Sequence, residues 1–449
     1  MGAAVKLSRR MWLAGAVAWG AFGADAEAMG RVPLGGELKL RIPWAISRLD
    51  PHDLFDPIAG FFGTAVCDTV FGLDARGNPY PTLADGWPKE EDGQTVVRLR
   101  PGLRSAHGKA IGGRDLAWSV KRARDRGALG LMAQIGPFVR SDRDDPLVAR
   151  FGKVAPATLA RLLASPLLSV LPVGFSAAAP DGTGPFKATL GGGKLVLERN
   201  LAAPRGPSFL DKVTVSSAGN LAASLRAFEA GRDDIGWLGL GFHRDRAGAR
   251  RFRFGTVAWV VLATGNFAPA SLRAPGVAQQ IADSVPVERL HLGLTPRTGV
   301  GASATWTGGP ADLLFDRGSG QLASIAQAMA AKLSRSGDEV TARGISRGAL
   351  RAARASGNFA LALDVVRDPQ SGPAGTLIAL ATADRRRLGE EIGKRPPRRA
   401  HGPANRLTTT LRLGVLGGLG VEGGVASGIT LVPQRGGPGF DLGASYGPR

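Results

Sequence analysis

Gly36 to Pro43 alternates polar and apolar positions and predicts a first β-strand. Gly60 to Phe71 is apolar at helical spacing, and Asp74-Ala75-Arg76-Gly77-Asn78-Pro79 is dense in turn formers. Gln94 to Leu99 alternates again. Asp115 to Arg124 carries Leu116, Val120 and Ala123 on one helical face, with Asp115 placed as an N-terminal charge or cap. Asp145 to Phe151 reads as a strand, Thr158 to Leu171 as an apolar helix, and Lys194–Arg199 and Lys212–Ser216 as two further strands. Ala222 to Gly231 predicts a helix. The second half repeats the mixture, with strands at Phe254–Ala263, Ala311–Phe315 and Phe359–Val366 and helices at Val277–Ser284 and Leu322–Ser334. Helices and strands interleave without a fixed repeat, which predicts α/β layers. The polar, proline-rich tract from Arg385 to Pro403 reads as a linker or surface loop.

At 449 residues the chain has room for two or three domains. Residues 1–28 read as an export signal: Arg9-Arg10, a short apolar run from Met11 to Gly23, and the small-x-small pattern Ala26-Glu27-Ala28. Ser8-Arg9-Arg10-Met11-Trp12-Leu13 is similar to a twin-arginine signal, with a Sec signal as the alternative. The apolar run is too short to span a bilayer, and without a cysteine at the cleavage site the lipoprotein route is closed. A soluble protein outside the cytoplasmic membrane, in the periplasm, is expected.

The net charge of +20 raises the question of anionic partners. The basic residues are spread along a chain rich in Gly, Ala, Arg and Pro. Their clusters at Lys121–Arg126, Arg385–Arg387 and Lys394–Arg399 lack an aromatic platform, so no nucleic-acid partner is expected. The single cysteine, Cys67, lies on an apolar helix face and reads as a buried thiol, not a nucleophile. Five histidines are scattered with no i, i+4 pair, so no metal site is expected.

Motifs for catalysis are weak. Gly418 to Gly423 is a literal GxGxxG, but the residues after it read as a strand where a dinucleotide site needs a helix. Gly191-Gly192-Gly193-Lys194 is followed by Leu195, which removes the hydroxyl of a phosphate-binding loop. No serine occupies a GxSxG elbow. The carboxylate pairs Glu90-Glu91, Asp144-Asp145, Asp233-Asp234 and Glu390-Glu391 read as solvated turns. No cofactor and no enzymatic activity are expected.

A series of motifs in fixed order carries a family resemblance. Leu49-Asp50-Pro51-His52 is followed by Pro81-Thr82-Leu83-Ala84-Asp85-Gly86-Trp87, then Leu99-Arg100-Pro101-Gly102-Leu103 and Gly113-Arg114-Asp115-Leu116-Ala117-Trp118-Ser119. Gly182-Thr183-Gly184-Pro185-Phe186-Lys187, Glu198-Arg199-Asn200 and Phe228-Glu229-Ala230-Gly231 come next. The chain resembles the extracellular solute-binding proteins of ABC importers, family 5, the oligopeptide/dipeptide-binding type. The likeness covers about residues 36–370 and is strongest in the first half. Two departures fall in the second: Ala360 stands where the family commonly has aspartate, and Asp364-Val365-Val366 where it often has Gly-Trp.

The resemblance implies an α/β, two-lobed periplasmic-binding-protein fold, class II-like, with an extra subdomain on the first lobe. Its boundaries would be a signal peptide at 1–28, the first lobe with its subdomain at 29–240, the second lobe at 241–400, and a C-terminal return at 401–449. It implies capture of a peptide or similar small solute between the lobes, and delivery by a monomer to a membrane ABC permease. Trp44 and Trp259 are expected as apolar walls, with core packing as the competing reading. Arg367 is expected to take a carboxylate, and Asp364 or Asp368 an amine. His52, Trp87 and Trp118 are expected to be structural. Two other functions compete: a degenerate envelope protein that binds a polyanion or partner, and a secreted hydrolase.

Overall fold

The computed structural model of the chain describes residues 34–128, 135–237, 246–288, 290, 293–296, 304–367 and 412–447. Residues 1–28, read above as an export signal, and the tract at 385–403 lie outside them. The first strands are β1 (Glu37–Ile42), β2 (Phe71–Leu73), β3 (Pro79–Pro81), β4 (Lys89–Glu91), β5 (Gln94–Arg98), β6 (Val139–Ser141) and β7 (Val148–Phe151). There follow β8 (Phe186–Gly191), β9 (Lys194–Arg199), β10 (Lys212–Ser217), β11 (Ile235–Trp237), β12 (Arg250–Thr264) and β13 (Thr295–Pro296). The last are β14 (Ala311–Asp316), β15 (Val340–Ile345), β16 (Leu361–Arg367), β17 (Leu413–Val425), β18 (Thr430–Pro433) and β19 (Phe440–Tyr446). The α-helices are α1 (Pro57–Val66), α2 (Gly113–Ala123), α3 (Pro156–Leu162), α4 (Leu221–Glu229), α5 (Val277–Asp283), α6 (Gly320–Leu333) and α7 (Arg347–Ser356).

One mixed sheet runs through both halves of the molecule in the order β15-β14-β16-β12-β17-β11-β1-β10-β9-β8. The two halves meet at the long antiparallel strands β12 and β17. Val425 to Gly423 pairs with Ile235 to Trp237 on one side and with Arg250 to Phe252 on the other. Beyond β12 lie β16, which is antiparallel to it, and β14 and β15, which are parallel to each other. A separate four-stranded sheet, β4-β5-β7-β6, forms the subdomain with α2 and α3. The alternation read in the sequence holds for β1, where Leu38, Leu40 and Ile42 are fully buried. Burying a side chain of this size contributes about 1.5–3 kcal/mol.

Several expectations shift for local reasons. The first helix starts at Pro57, because Asp56 caps it by accepting from Ile58 N and Ala59 N. The helix read over 158–171 stops at Leu162; Pro166 cannot continue it, and a 3₁₀ turn follows at Pro166–Leu168. The GxGxxG lies inside β17, which supplies no helix N-terminus for a phosphate. Its glycines answer to packing, since a Cβ at Gly423 would sit 1.9 Å from the Gly236 carbonyl oxygen. Trp87 is not core but 52% exposed, its ring tilted over Phe71 at 6.0 Å. Trp118 is half-buried against the main core. Helix α7 had no counterpart in the sequence reading.

The Gly-Thr-Gly-Pro motif docks on the end of α1. Gly184 N donates to the Val66 carbonyl at 2.8 Å, and Thr183 Oγ1 to Asp68 at 3.0 Å. A Cβ at Gly184 would lie 2.6 Å from the Val66 carbonyl carbon, so the backbone would have to move. Gly184→Ala is expected to cost about 1–3 kcal/mol in urea unfolding. An unchanged midpoint would show that this contact is not close-packed in solution.

Candidate functional site

The turn that leads into α1 holds three aspartates three residues apart, and each is at most 1% exposed. Asp50 takes a two-pronged contact from Arg122, at 2.8 and 2.9 Å, and lies 3.4 Å from Arg126 and Arg48. Asp53 pairs with Arg48 at 2.9 Å and with Arg351. Asp56 accepts from Asp50 N at 3.1 Å and lies 4.0 Å from Arg347. The arginines converge from three directions. Arg122 comes from the subdomain helix α2, Arg48 from the turn's own approach, and Arg347 and Arg351 from α7 in the second half.

Backbone contacts strengthen the junction. Arg367, at the end of β16, donates through Nη1 to the carbonyls of Pro51 at 2.7 Å and Asp53 at 3.1 Å, and its N–H donates to Leu54 at 2.9 Å. Arg347 donates to the Phe55 carbonyl. Burial alone would raise the Asp50 carboxyl, but the hydrogen bonds and charge of Arg122 hold it below its ordinary value. Asp56 is pushed up, by burial first and then by the neighbouring Asp53 despite Arg347. His52 is fully buried, with Nε2 2.8 Å from the Ser169 carbonyl and Nδ1 3.1 Å from Arg122. Burial, aided by Arg122, lowers its pKa to about 4.

Beside the junction lies a cavity of about 100 Å³. Gly60 and Thr64 of α1 and the following Asp68 line it from the first half; Val257 of β12 and Arg367 of β16 line it from the second. Tyr80 of β3, Asp441 of β19 and the turn of residues 434–438 complete the wall. Asp68, buried, holds Arg205 Nε at 2.6 Å, and this charge pairing keeps Arg205 above its ordinary value. Thr64 Oγ1 lies 3.3 Å from Gln434 Oε1. Among the described residues no histidine, cysteine or carboxylate group clusters as a metal site would. Cys67 is buried, and its thiol is raised well above the ordinary value by burial and then by Asp68.

The structure separates the residues singled out in the sequence. Arg367 lines the cavity. Asp364, three positions earlier in β16, pairs instead with Arg354 of α7. Trp44 is 3% exposed and stacks on Phe61 at 5.3 Å, away from the cavity wall. Trp259, in β12, is half-buried against the subdomain core. Asp368 lies outside the described residues. Sequence reading missed Asp68, Arg205 and Asp441, which are far apart in the chain and share no local pattern. It also missed Arg347, Arg351 and Arg354, although their i, i+4, i+7 spacing puts them on one helical face opposite an evenly spaced aspartate run.

Acid should weaken this junction through His52. Below pH 6.5 the unfolded chain protonates this imidazole, whereas the folded chain refuses the proton until about pH 4. The stabilisation is therefore complete above pH 6.5 and is lost as the pH falls to about 4, a change of about 3 kcal/mol. Asp56, with its raised pKa, works in the opposite sense, so the difference between parent and variant isolates the imidazole. His52→Gln keeps a donor for Ser169, and between pH 7 and 4.5 it is expected to lose about 2–3 kcal/mol less than the parent in urea unfolding. Equal losses would move the acid sensitivity elsewhere.

No known family's sequence profile matches the chain, and no curated protein matches it in sequence. Solved structures do match. The pheromone receptor PrgZ, described with its mode of peptide binding, is 14% identical with a TM-score of 0.70, over 92% of this chain and 99% of that one. The ABC transporter-associated periplasmic binding protein DppA from Helicobacter pylori, in complex with the peptide STSA, is 15% identical with a TM-score of 0.68, over 93% and 99%. NikA from Brucella suis, in complex with Fe(III)-EDTA, is 16% identical with a TM-score of 0.65, over 92% and 100%. At these identities the likeness speaks for the fold. In its fold this chain is a two-lobed α/β protein of the kind seen in the family 5 solute-binding proteins of ABC importers.

Proposed function

We propose that the chain is an exported solute-binding protein that captures a peptide or similar small solute between its two lobes and presents it to a membrane ABC permease. The observation that carries the reading is the cavity bordered by α1 on one side and by β12 and β16 on the other. A solute that touches both walls binds the closed state more tightly and shifts the population towards it. Residues 29–240, 241–400 and 401–449 are the first lobe, second lobe and return in this reading; in keeping with it, β17 pairs with β11 on one side and β12 on the other. The protein works as a periplasmic monomer and carries out no chemistry. Support for a binding role without chemistry comes from the structural neighbours described as a receptor and as a periplasmic binding protein. Among the described residues no helix is long and apolar enough to cross a membrane.

A second reading follows from one observation. Arg367 already spends Nη1 on two first-half carbonyls, as a side chain would in a cleft that closes on itself. On that reading the chain is a degenerate envelope protein that keeps the fold and binds a polyanion. Its binding would fall steeply with salt.

The test uses the chain from residue 29, with thermal unfolding followed against pooled di- to pentapeptides at moderate salt. A ligand at 100 times its Kd is expected to add about 2.7 kcal/mol of stability. A salt-resistant rise in Tm with any pool supports the receptor. No rise with any pool, together with salt-sensitive binding of acidic polymers, supports the degenerate protein instead.

A further inference from the structure

The turn between β18 and β19 forms one end of the cavity, and its length exceeds what the hairpin needs. Pro433 and Phe440 stand directly opposite each other, a register that a two-residue turn is able to close. Here six residues, Gln434 to Gly439, join them. The excess has a direction, because Gln434 through Pro438 all line the cavity.

Both halves of the molecule hold this turn. From α1, Thr64 Oγ1 donates to Gln434 Oε1 at 3.3 Å. Against β2, the backbone at Gly436 lies so close that a Cβ there would sit 2.3 Å from Leu73 Cβ and 3.0 Å from the Asp74 carbonyl oxygen. Its φ of +65° is one that glycine adopts without strain. From β12, the Phe254 carbonyl accepts from Gly439 N at 2.7 Å, and a Cβ on Gly255 would lie 3.3 Å from Pro438 Cβ. Gln434 N closes the turn on the Gly439 carbonyl at 2.9 Å. Three glycines in six residues make the turn costly to order, so it is these contacts that fix it as a bar from the β2–β3 hairpin to β12.

Resting on the receptor reading above, we propose that this turn is a size filter: it closes the end of the cavity, admits solutes of dipeptide size or smaller and refuses longer chains. The cavity of about 100 Å³ agrees, since it falls well below the roughly 300–1,000 Å³ of sites that engulf larger ligands. An extended chain advances about 3.3 Å per residue, so a pentapeptide is about 10 Å longer than a dipeptide and has to pass the bar. The bar is tied to α1 and β2 on one side and to β12 on the other, so a longer solute enters only by breaking these contacts. Length decides, and no terminal charge takes part in the filter.

Calorimetric titration of the chain from residue 29 with pooled dipeptides, tripeptides and pentapeptides, at moderate salt, reads the filter. The parent is expected to bind dipeptides about tenfold or more tighter than pentapeptides. Replacing Gln434 to Gly439 by Asn-Gly, a pair favoured in two-residue hairpins, is expected to bring the pentapeptides within about threefold of the dipeptides. Equal affinity of the parent for both lengths overturns the filter and leaves the receptor standing. A shortened variant that keeps the parent's Tm and still refuses pentapeptides overturns the proposal, because the length limit then lies elsewhere. A parent that binds no pool while the variant binds pentapeptides supports the turn as the barrier, set tighter than a dipeptide. No binding by parent or variant overturns the proposal, and with no rise in Tm in the thermal experiment the receptor reading falls as well. Where the shortened hairpin does not fold, Gly436→Val takes its place, since its side chain meets Leu73 and lifts the turn. Pentapeptide affinity is then expected to rise about threefold or more, and an unchanged affinity in that folded variant overturns the filter.

Discussion

Three carboxylates out of water in one short turn are the constraint around which this molecule is arranged. Asp50, Asp53 and Asp56 would be untenable there alone, because a buried charge without a partner costs several kcal/mol. Their partners come from every surrounding unit: Arg122 from the subdomain, Arg347 and Arg351 from the second half, and Arg48 from the turn itself, while Arg367 holds the turn's main-chain carbonyls. Asp56 also caps α1 and so sets the helix whose face lines the cavity. Capping, the alignment of the halves and the cavity wall thus share one set of interactions.

This arrangement gives several of the chain's many arginines a structural use. Arginine supplies several donors in a planar fork, so a single side chain can satisfy a carboxylate or two carbonyls at once, as Arg122 and Arg367 do. Lysine could not reproduce either contact. The cost is rigidity. Halves tied through ion pairs and through main-chain carbonyls part only by breaking several of these contacts together.

The cavity adjoins the junction. Arg367 belongs to both, with one nitrogen in the junction and another beside the space over Gly60. Its neighbour in the strand, Asp364, points its charge to Arg354 instead. Three positions along β16 therefore separate a side chain that braces α7 from one that faces the cavity. No property of either residue type foretells that division.

What the sequence determined by itself was local. Alternation located β1, β5, β9 and β10, helical spacing located α2 and α6, and the succession of short motifs pointed to the fold before any coordinates. His52 and Cys67 were readable as structural, since neither has the neighbours that chemistry requires. Helix α7 was passed over because its outward pattern is arginine and alanine, with Leu350 alone fully buried, so its apolar signal is thin. Only the tertiary structure decided which charges meet. Asp68 and Arg205, or Asp53 and Arg351, are brought together by packing of distant elements, and nothing within a window of ten residues encodes it. Trp44 shows the same limit, because an aromatic at the end of a strand looks alike from the sequence whether it faces a cleft or stacks on Phe61. Periodicity reports which face of an element is buried; what lies across from that face is set by the assembly of the whole chain.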